Sequence, residues 1–252
     1  AKSSLELGGK SPAIVEVDAD LEKAAREIVT SKTTNCGQLC TAIERVYVHE
    51  AVYDEFVVLL KSQMSARQFG DRALDASFMG PLINENARLN IHQMVERAID
   101  DGANLEVGGY IPEGRGHFYP PTLLTNCRQD MEIVQEEIFG PVLSMVRADT
   151  FDYALDIVNK HEYGNGTAIF TSNGGVARKF ANECQIGMVG VNVPIPVPVA
   201  YHSFGGWKRS LFGDHAMHGM DGVRFFTRLK TVTSRWPTGI RKGAEFTIPT
   251  MK

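Results

Sequence analysis

An α/β fold around a largely parallel, covered sheet is predicted by three features of the 252-residue sequence. Strand-like and helix-like segments alternate along most of the chain, and the strand segments are apolar. The bulk composition, 43% hydrophobic and 22% charged, is that of an ordinary globular domain. In order, Ala13-Ile14-Val15-Glu16-Val17 reads as a short strand. Asp18-Ala19-Asp20 then offers N-cap chemistry to a helix carrying Leu21, Ala24, Ala25, Ile28 and Val29. Arg45-Val46-Tyr47-Val48 is β-branched and aromatic, as strands prefer. A helix over about residues 51 to 65 follows, with Val52, Phe56, Leu59 and Leu60 at helical spacing. Asn84 caps the next, through Leu89, Met94, Val95, Ala98 and Ile99, and Gly102 stops it. Strands recur at residues 141–146, 167–171 and 188–193, separated by helical stretches near 150–160 and 174–184. From Gly222 to Thr233 the later residues alternate apolar with polar, the pattern of a half-exposed strand. Nothing after it is suited to cover it, so residues 223–252 are expected to form an arm that pairs with a sheet edge of a partner subunit, as in a homo-oligomer.

Composition excludes several classes. The net charge is −4, and Lys and Arg are scattered, with Lys208-Arg209 the densest patch. That is no field for nucleic acid. No apolar run approaches the roughly 20 residues of a membrane-spanning helix, and the first residues lack a signal-peptide core. Four cysteines (Cys36, Cys40, Cys127 and Cys184) are too sparse for a disulfide scaffold, which fits a reducing cytoplasm. Neither they nor the seven histidines have metal-ligand spacing, so no metal is expected. The chain starts without Met and almost on a motif, which suggests a piece of a longer polypeptide.

Two residues stand out chemically. Cys40 closes Asn35-Cys36-Gly37-Gln38-Leu39-Cys40. A glycine-containing turn beside a helix end can expose a thiol and lower its pKa, as a nucleophile requires. Taken alone, a Cys is more often a small buried hydrophobe. Glu6, in Leu5-Glu6-Leu7-Gly8-Gly9-Lys10, is flanked by apolar residues and paired glycines that fit a dry pocket holding a general base. An exposed or salt-bridged Glu is the plainer alternative. Cys36 and Cys40 are two separate thiols or, given a favourable backbone, a disulfide.

Taken together, these segments resemble the aldehyde dehydrogenase family. Glu6-Leu7-Gly8-Gly9-Lys10 is followed by the Cys of Gly-Gln-x-Cys. Glu136-Glu137-Ile138-Phe139-Gly140-Pro141, Phe204-Gly205-Gly206-Trp207-Lys208 and Lys230-Thr231-Val232-Thr233 follow in the family's order. The resemblance implies a catalytic domain over residues 1–222, with the C-terminal arm as an oligomerisation strand. It implies Cys40 as the nucleophile, its backbone N–H assisting the oxyanion, and Glu6 as the base that activates water. Glu137 is implied to bond the nicotinamide ribose, Phe139 to pack near the nicotinamide, and Phe204 and Asn192 to line the pocket of a small aldehyde. NAD or NADP is the implied cofactor. Leu39 departs from the residue expected beside the nucleophile.

The family's dinucleotide-binding domain lies mostly before the first motif, and no Gly-x-Gly-x-x-Gly turn follows a strand here. The cofactor site is therefore expected to be incomplete in this chain, and turnover to need the missing domain as a partner. Up to about Leu124 the text resembles lactaldehyde and glycolaldehyde dehydrogenases. From about Glu136, through Tyr163-Gly164-Asn165-Gly166-Thr167 and Pro194-Ile195-Pro196-Val197-Pro198, it resembles the CoA-acylating methylmalonate-semialdehyde branch. That branch usually lacks the first-motif Glu, so Glu6 favours hydrolysis. CoA-dependent acylation and a non-catalytic, self-associating fragment are the alternatives. A hybrid chain and a natural sequence between the two branches both fit the pattern.

Overall fold

The computed structural model describes residues 2–75, 79–234 and 236. Its first elements are β1 (Leu5–Glu6), β2 (Pro12–Val15) and α1 (Leu21–Thr33). Asp20 caps α1, its side chain accepting from Lys23 N. Next come β3 (Arg45–His49), α2 (Tyr53–Ser65), entered through a 3-10 turn, and α3 (Glu85–Asp100), whose cap Asn84 accepts from Ala87 N. Then follow β4 (Asn104–Val107), β5 (Thr122–Thr125), the single-turn α4 (Glu132–Gln135), β6 (Val142–Ala148) and α5 (Phe151–Lys160). The described chain finishes with β7 (Tyr163–Gly164), β8 (Gly166–Phe170), α6 (Gly174–Glu183), β9 (Met188–Val191), β10 (Trp207–Lys208), β11 (Leu211–Phe212) and α7 (Gly219–Phe226).

Seven strands form one sheet in the order β4-β5-β6-β3-β2-β8-β9, all parallel except the edge strand β4. The period-2 alternation of strand side chains divides the core. Ala13, Val15, Val46, Val48, Leu143, Met145, Ala168 and Phe170 face α1 and α2, packing on Ala24, Ile28, Phe56 and Leu60. Ile14, Tyr47, Val142, Val146 and Ile169 face the other way, where Val95 of α3, Val158 of α5 and Phe180 of α6 cover them. Both faces are thus dry, which explains why the central strands carry apolar residues on both faces.

Most expected elements appear within a few residues of their predicted bounds. β4 and β5 were not expected. β4 is only half covered, and the run before β5 holds Pro120 and Pro121, which obscure a strand pattern.

The start of the C-terminal arm differs from the expected strand. Residues 219–226 form helix α7, which runs straight through the expected domain boundary at 222. Met220, Val223 and Phe226, spaced by three, give that segment a helical period instead of a strand's. Residues 227–234 pair with no strand among the described residues. The remainder of the arm, residue 235 and residues 237–252, lies outside the described residues. Among the described residues no helix is long and apolar enough to cross a membrane.

Core depth sets an expected contrast on α2. Phe56, fully buried, should lose about 3–5 kcal/mol of stability on Phe56→Ala in urea unfolding. Val58→Ala, on the exposed face of the same helix, should change it by less than about 1 kcal/mol.

Candidate active site

The site is assembled at the edge where the parallel strands begin. The segments entering β2, β3, β6 and β8 meet there, and a buried carboxylate ties three of them together. Glu44, just before β3, accepts from the backbone N–H of Ile138 (3.0 Å) and of Phe139 (3.1 Å). It also pairs with Lys10 Nζ at 3.0 Å and Lys32 Nζ at 3.4 Å, all three side chains lying out of solvent. Burial pushes the Glu44 carboxyl upward, but Lys10, Lys32 and the Ile138 N–H overcome it and hold it at about 2. Burial lowers Lys10 to about 8, with Glu44 opposing.

Leaving α1, the chain makes a left-handed turn: φ is +50° at Asn35, +58° at Cys36 and +72° at Gly37. Such angles cost a non-glycine residue on the order of 1 kcal/mol each. At Gly37 no other residue is possible, because a Cβ would sit 2.1 Å from the Gly140 carbonyl oxygen. Asn35 and Gln38 bracket the turn by reciprocal amide-to-carbonyl bonds of 3.1 and 3.0 Å. Gln38 Oε1 accepts from Ile83 N at 2.9 Å, pinning the turn to the segment after residue 80.

This delivers Cys40, half-buried, into a loop rather than to a helix N-terminus. Its carbonyl oxygen accepts from Asn165 Nδ2 (3.2 Å) and Ser11 Oγ (3.3 Å). Its Sγ lies 3.9 Å from Glu6 Oε1, within sulfur hydrogen-bond range. The lowered thiol pKa expected from the sequence is not found. Burial first, then the Glu6 charge, raises it, and the opposing Asn165 hydrogen bond does not offset them. Glu6 itself is exposed on β1, where β1 pairs with β11, so the expected dry pocket is absent from the described residues. All four cysteines are free, so Cys36 and Cys40 are separate thiols. Burial pushes Cys36, Cys127 and Cys184 to about 12.

Glu137 stands beside the pair. Its Oε1 accepts from Gly9 N at 3.0 Å, and a Cβ on Gly8 would meet its Oε2 at 2.4 Å. Burial raises its carboxyl despite the Gly9 bond. Phe139 has φ +55° and leaves its ring 43% exposed while its N–H is held by Glu44. Phe204 stacks on His218 at 4.4 Å, in the strip whose Gly206 packs against Asn165.

Asn192 is not part of this site. Its Oδ1 accepts from Thr171 N (3.1 Å) and its Nδ2 donates to Thr171 O (3.0 Å). Thr171 follows the far end of β8, whereas Asn165 precedes its start, a separation of roughly 20 Å along a strand. The amide prolongs the β8–β9 pairing and reaches no substrate near Cys40. Asn165, Ser11, Lys32 and Glu44 were missed. Lys10 and Asn165 did stand within recognised motifs, where a lysine after two glycines and an asparagine between two glycines were available signals. Among the described residues no three His, Cys, Asp or Glu side chains are grouped as metal ligands.

A parallel sheet covered on both faces, with a thiol and a carboxylate meeting at its leading edge, matches one known family. Residues 1–232 match the aldehyde dehydrogenase family, and the chain belongs to it. It is 42% identical over 250 residues to the malonate-semialdehyde dehydrogenase of Pseudomonas aeruginosa, covering 97% of this chain and 50% of that relative. To the lactaldehyde dehydrogenase of Escherichia coli it is 44% identical over 222 residues, covering 87% of this chain and 46% of the relative. A Sinorhizobium meliloti protein described as a methylmalonate-semialdehyde dehydrogenase, solved in complex with NAD, superposes with a TM-score of 0.89 at 42% identity. That match covers 94% of this chain and 49% of the other. The chain spans about half the length of the relatives it matches.

Glu44 carries a pH-dependent share of stability. Its folded-state pKa lies below the ordinary 4.5, so its contribution is complete above about pH 4.5 and is lost as pH falls toward about 2. Glu44→Gln strands two buried lysines and should cost about 3–5 kcal/mol at neutral pH, with a flatter acid limb in urea titrations. For Cys40, the alkylation rate should still be rising with pH above the ordinary thiol value of 9, and Glu6→Gln should move that profile downward. A profile unmoved by Glu6→Gln would contradict the charge coupling.

Proposed function

We propose that this chain supplies the nucleophile and the base of an NAD- or NADP-dependent aldehyde dehydrogenase that oxidises a small aldehyde to its acid. The observation that carries this reading is the 3.9 Å approach of Cys40 Sγ to Glu6 Oε1 in a chain of this family. In the reaction, the Cys40 thiolate adds to the aldehyde carbon and makes a thiohemiacetal, with the Cys40 backbone N–H toward the oxyanion. Asn165 and Ser11 hold the Cys40 carbonyl, which fixes the peptide on which Sγ turns. Loss of hydride leaves a thioester on Cys40. Glu6 then takes a proton from water, and the hydroxide displaces the cysteine to release the acid. Because Glu6 adjoins Cys40, water is favoured over CoA as the second nucleophile.

The nicotinamide cofactor, when bound, accepts the hydride. The residues present fit one end of it. Glu137 offers a carboxylate to a ribose hydroxyl beside glycines that admit no side chain, and Phe139 offers an exposed ring. Phe204 is the pocket wall on the aldehyde side. The rest of the cofactor site belongs to a dinucleotide-binding partner region, and the working enzyme is a cytoplasmic homo-oligomer. The malonate semialdehyde and lactaldehyde of the relatives' names support a small substrate.

The test joins this chain to the dinucleotide-binding half of an aldehyde dehydrogenase and follows NADH with glycolaldehyde. Cys40→Ser should abolish turnover. Glu6→Gln should leave a rapid first burst of NADH and slow the steady state that follows. A folded fusion with no Cys40-dependent NADH would reject the proposal.

A further inference from the structure

The relatives' names divide by charge: malonate semialdehyde carries a carboxylate and lactaldehyde does not. The surroundings of Cys40 bear on that division. We propose that the Cys40 site selects uncharged aldehydes and disfavours those bearing a second carboxylate, because among the described residues a carboxylate borders the thiol and the lysines behind it are held by Glu44. This deepens the proposed function and rests on Cys40 being the nucleophile.

Two carboxylates lead the charged groups that act on the thiol. Glu6 is the nearer, at 3.9 Å, and Glu137 acts in the same sense. Glu6 is exposed and borders the thiol that an incoming aldehyde must reach, while Glu137 is half-buried against Gly8 and Gly9 and adds its charge from the side proposed for the cofactor ribose. Lys10 and Lys32 lie behind them, but their Nζ atoms are buried and both are paired with Glu44. Reaching a substrate would require either lysine to give up its buried ion pair with Glu44, which is costly. Leu39 and Thr41 flank the nucleophile in the chain, and Gln38 is fully engaged with Asn35, Pro81 and Ile83. Asn165 is 98% buried, and its Nδ2 is committed to the Cys40 carbonyl. Its Oδ1 is buried too, against Gly206, and carries no charge toward a substrate. A hydroxyaldehyde meets no repulsion here. A semialdehyde anion meets the like charge of Glu6.

The field is read on this chain by two alkylating reagents of nearly equal size, neutral iodoacetamide and anionic iodoacetate. In each case the thiolate forms the S–C bond and iodide leaves with the C–I electron pair. Both reagents draw on the same thiolate, so the thiol's protonation cancels in the ratio of their rates. Cys36, Cys127 and Cys184 are buried, and peptide mass spectrometry assigns the modification to Cys40. The neutral-to-anionic rate ratio at Cys40 should exceed that of the same cysteine in the urea-unfolded chain by about fivefold or more. It should fall toward the unfolded value in Glu6→Gln and with added salt. Glu6 is exposed, so this variant keeps the fold. A ratio at or below the unfolded value overturns the proposal, as does a raised ratio that Glu6→Gln leaves unchanged. Because the ratio needs no hydride transfer, its failure is separate from a failure of the fused enzyme to make NADH.

Discussion

Everything at the leading edge of the sheet is organised around one buried anion. Glu44 takes two backbone N–H groups from the segment before β6 and the two ammonium groups of Lys10 and Lys32, so a single carboxylate joins the approaches to β2, β3 and β6 with the last turn of α1. Two lysines and one glutamate in a dry interior are costly, and replacement by apolar residues would often be as stable. What the cluster contributes is position. It fixes the left-handed Phe139, leads the chain on to Gly140, and so sets the surface on which Gly37 must land. Arg45, also fully buried, adds a bond from its Nε to the Lys10 carbonyl. Cys40 inherits its place from contacts made by residues that never approach the thiol.

This arrangement inverts the usual geography of an open α/β sheet, in which ligands gather beyond the carboxyl ends of the strands. Here the chemistry-bearing loops precede the strands. The opposite edge is closed by side chains doing the work of backbone. Asn192 continues the ladder on Thr171, and Thr171 Oγ1 with Ser172 Oγ seals against Asp18. The edge with glycines (Gly8, Gly9, Gly37, Gly140 and Gly206) is the one where backbones press closest together and where side chains of other segments are admitted between them.

The sequence made the sheet legible because both faces are covered, and the apolar runs at 12–15, 46–48 and 168–170 need no knowledge of partners. Helix starts were legible for the same local reason: Asp20 and Asn84 cap through their own side chains. Cys40, Glu6, Glu137 and Phe139 were found through motif resemblance, and their meeting at one edge follows only from the crossovers. The buried ion cluster was illegible, since nothing local distinguishes Glu44 from a surface glutamate that precedes a strand. Asn192 misled because a strand-end asparagine looks identical whether its amide faces a ligand or the next strand. At the C-terminus, the alternation beginning at Phe225 masked the period-three spacing that ends at Phe226, and α7 won locally.

The grip of the Asn35–Gly37 turn on Gly140 also bears on the chain's ancestry. Its first 124 residues and those after about 136 resemble different branches of the family, and the intervening stretch holds only β5's exit and the single turn α4. A genetic crossover there would cut few local contacts. It would still have to rejoin Gly37 to Gly140, Glu44 to the amides of Ile138 and Phe139, and Gly8 to Glu137. These pairings act as a compatibility code between the two parts, written mostly in backbone atoms and in the absence of side chains. Any such exchange must also preserve the β2–β8 and β3–β6 pairings and the core that both parts share.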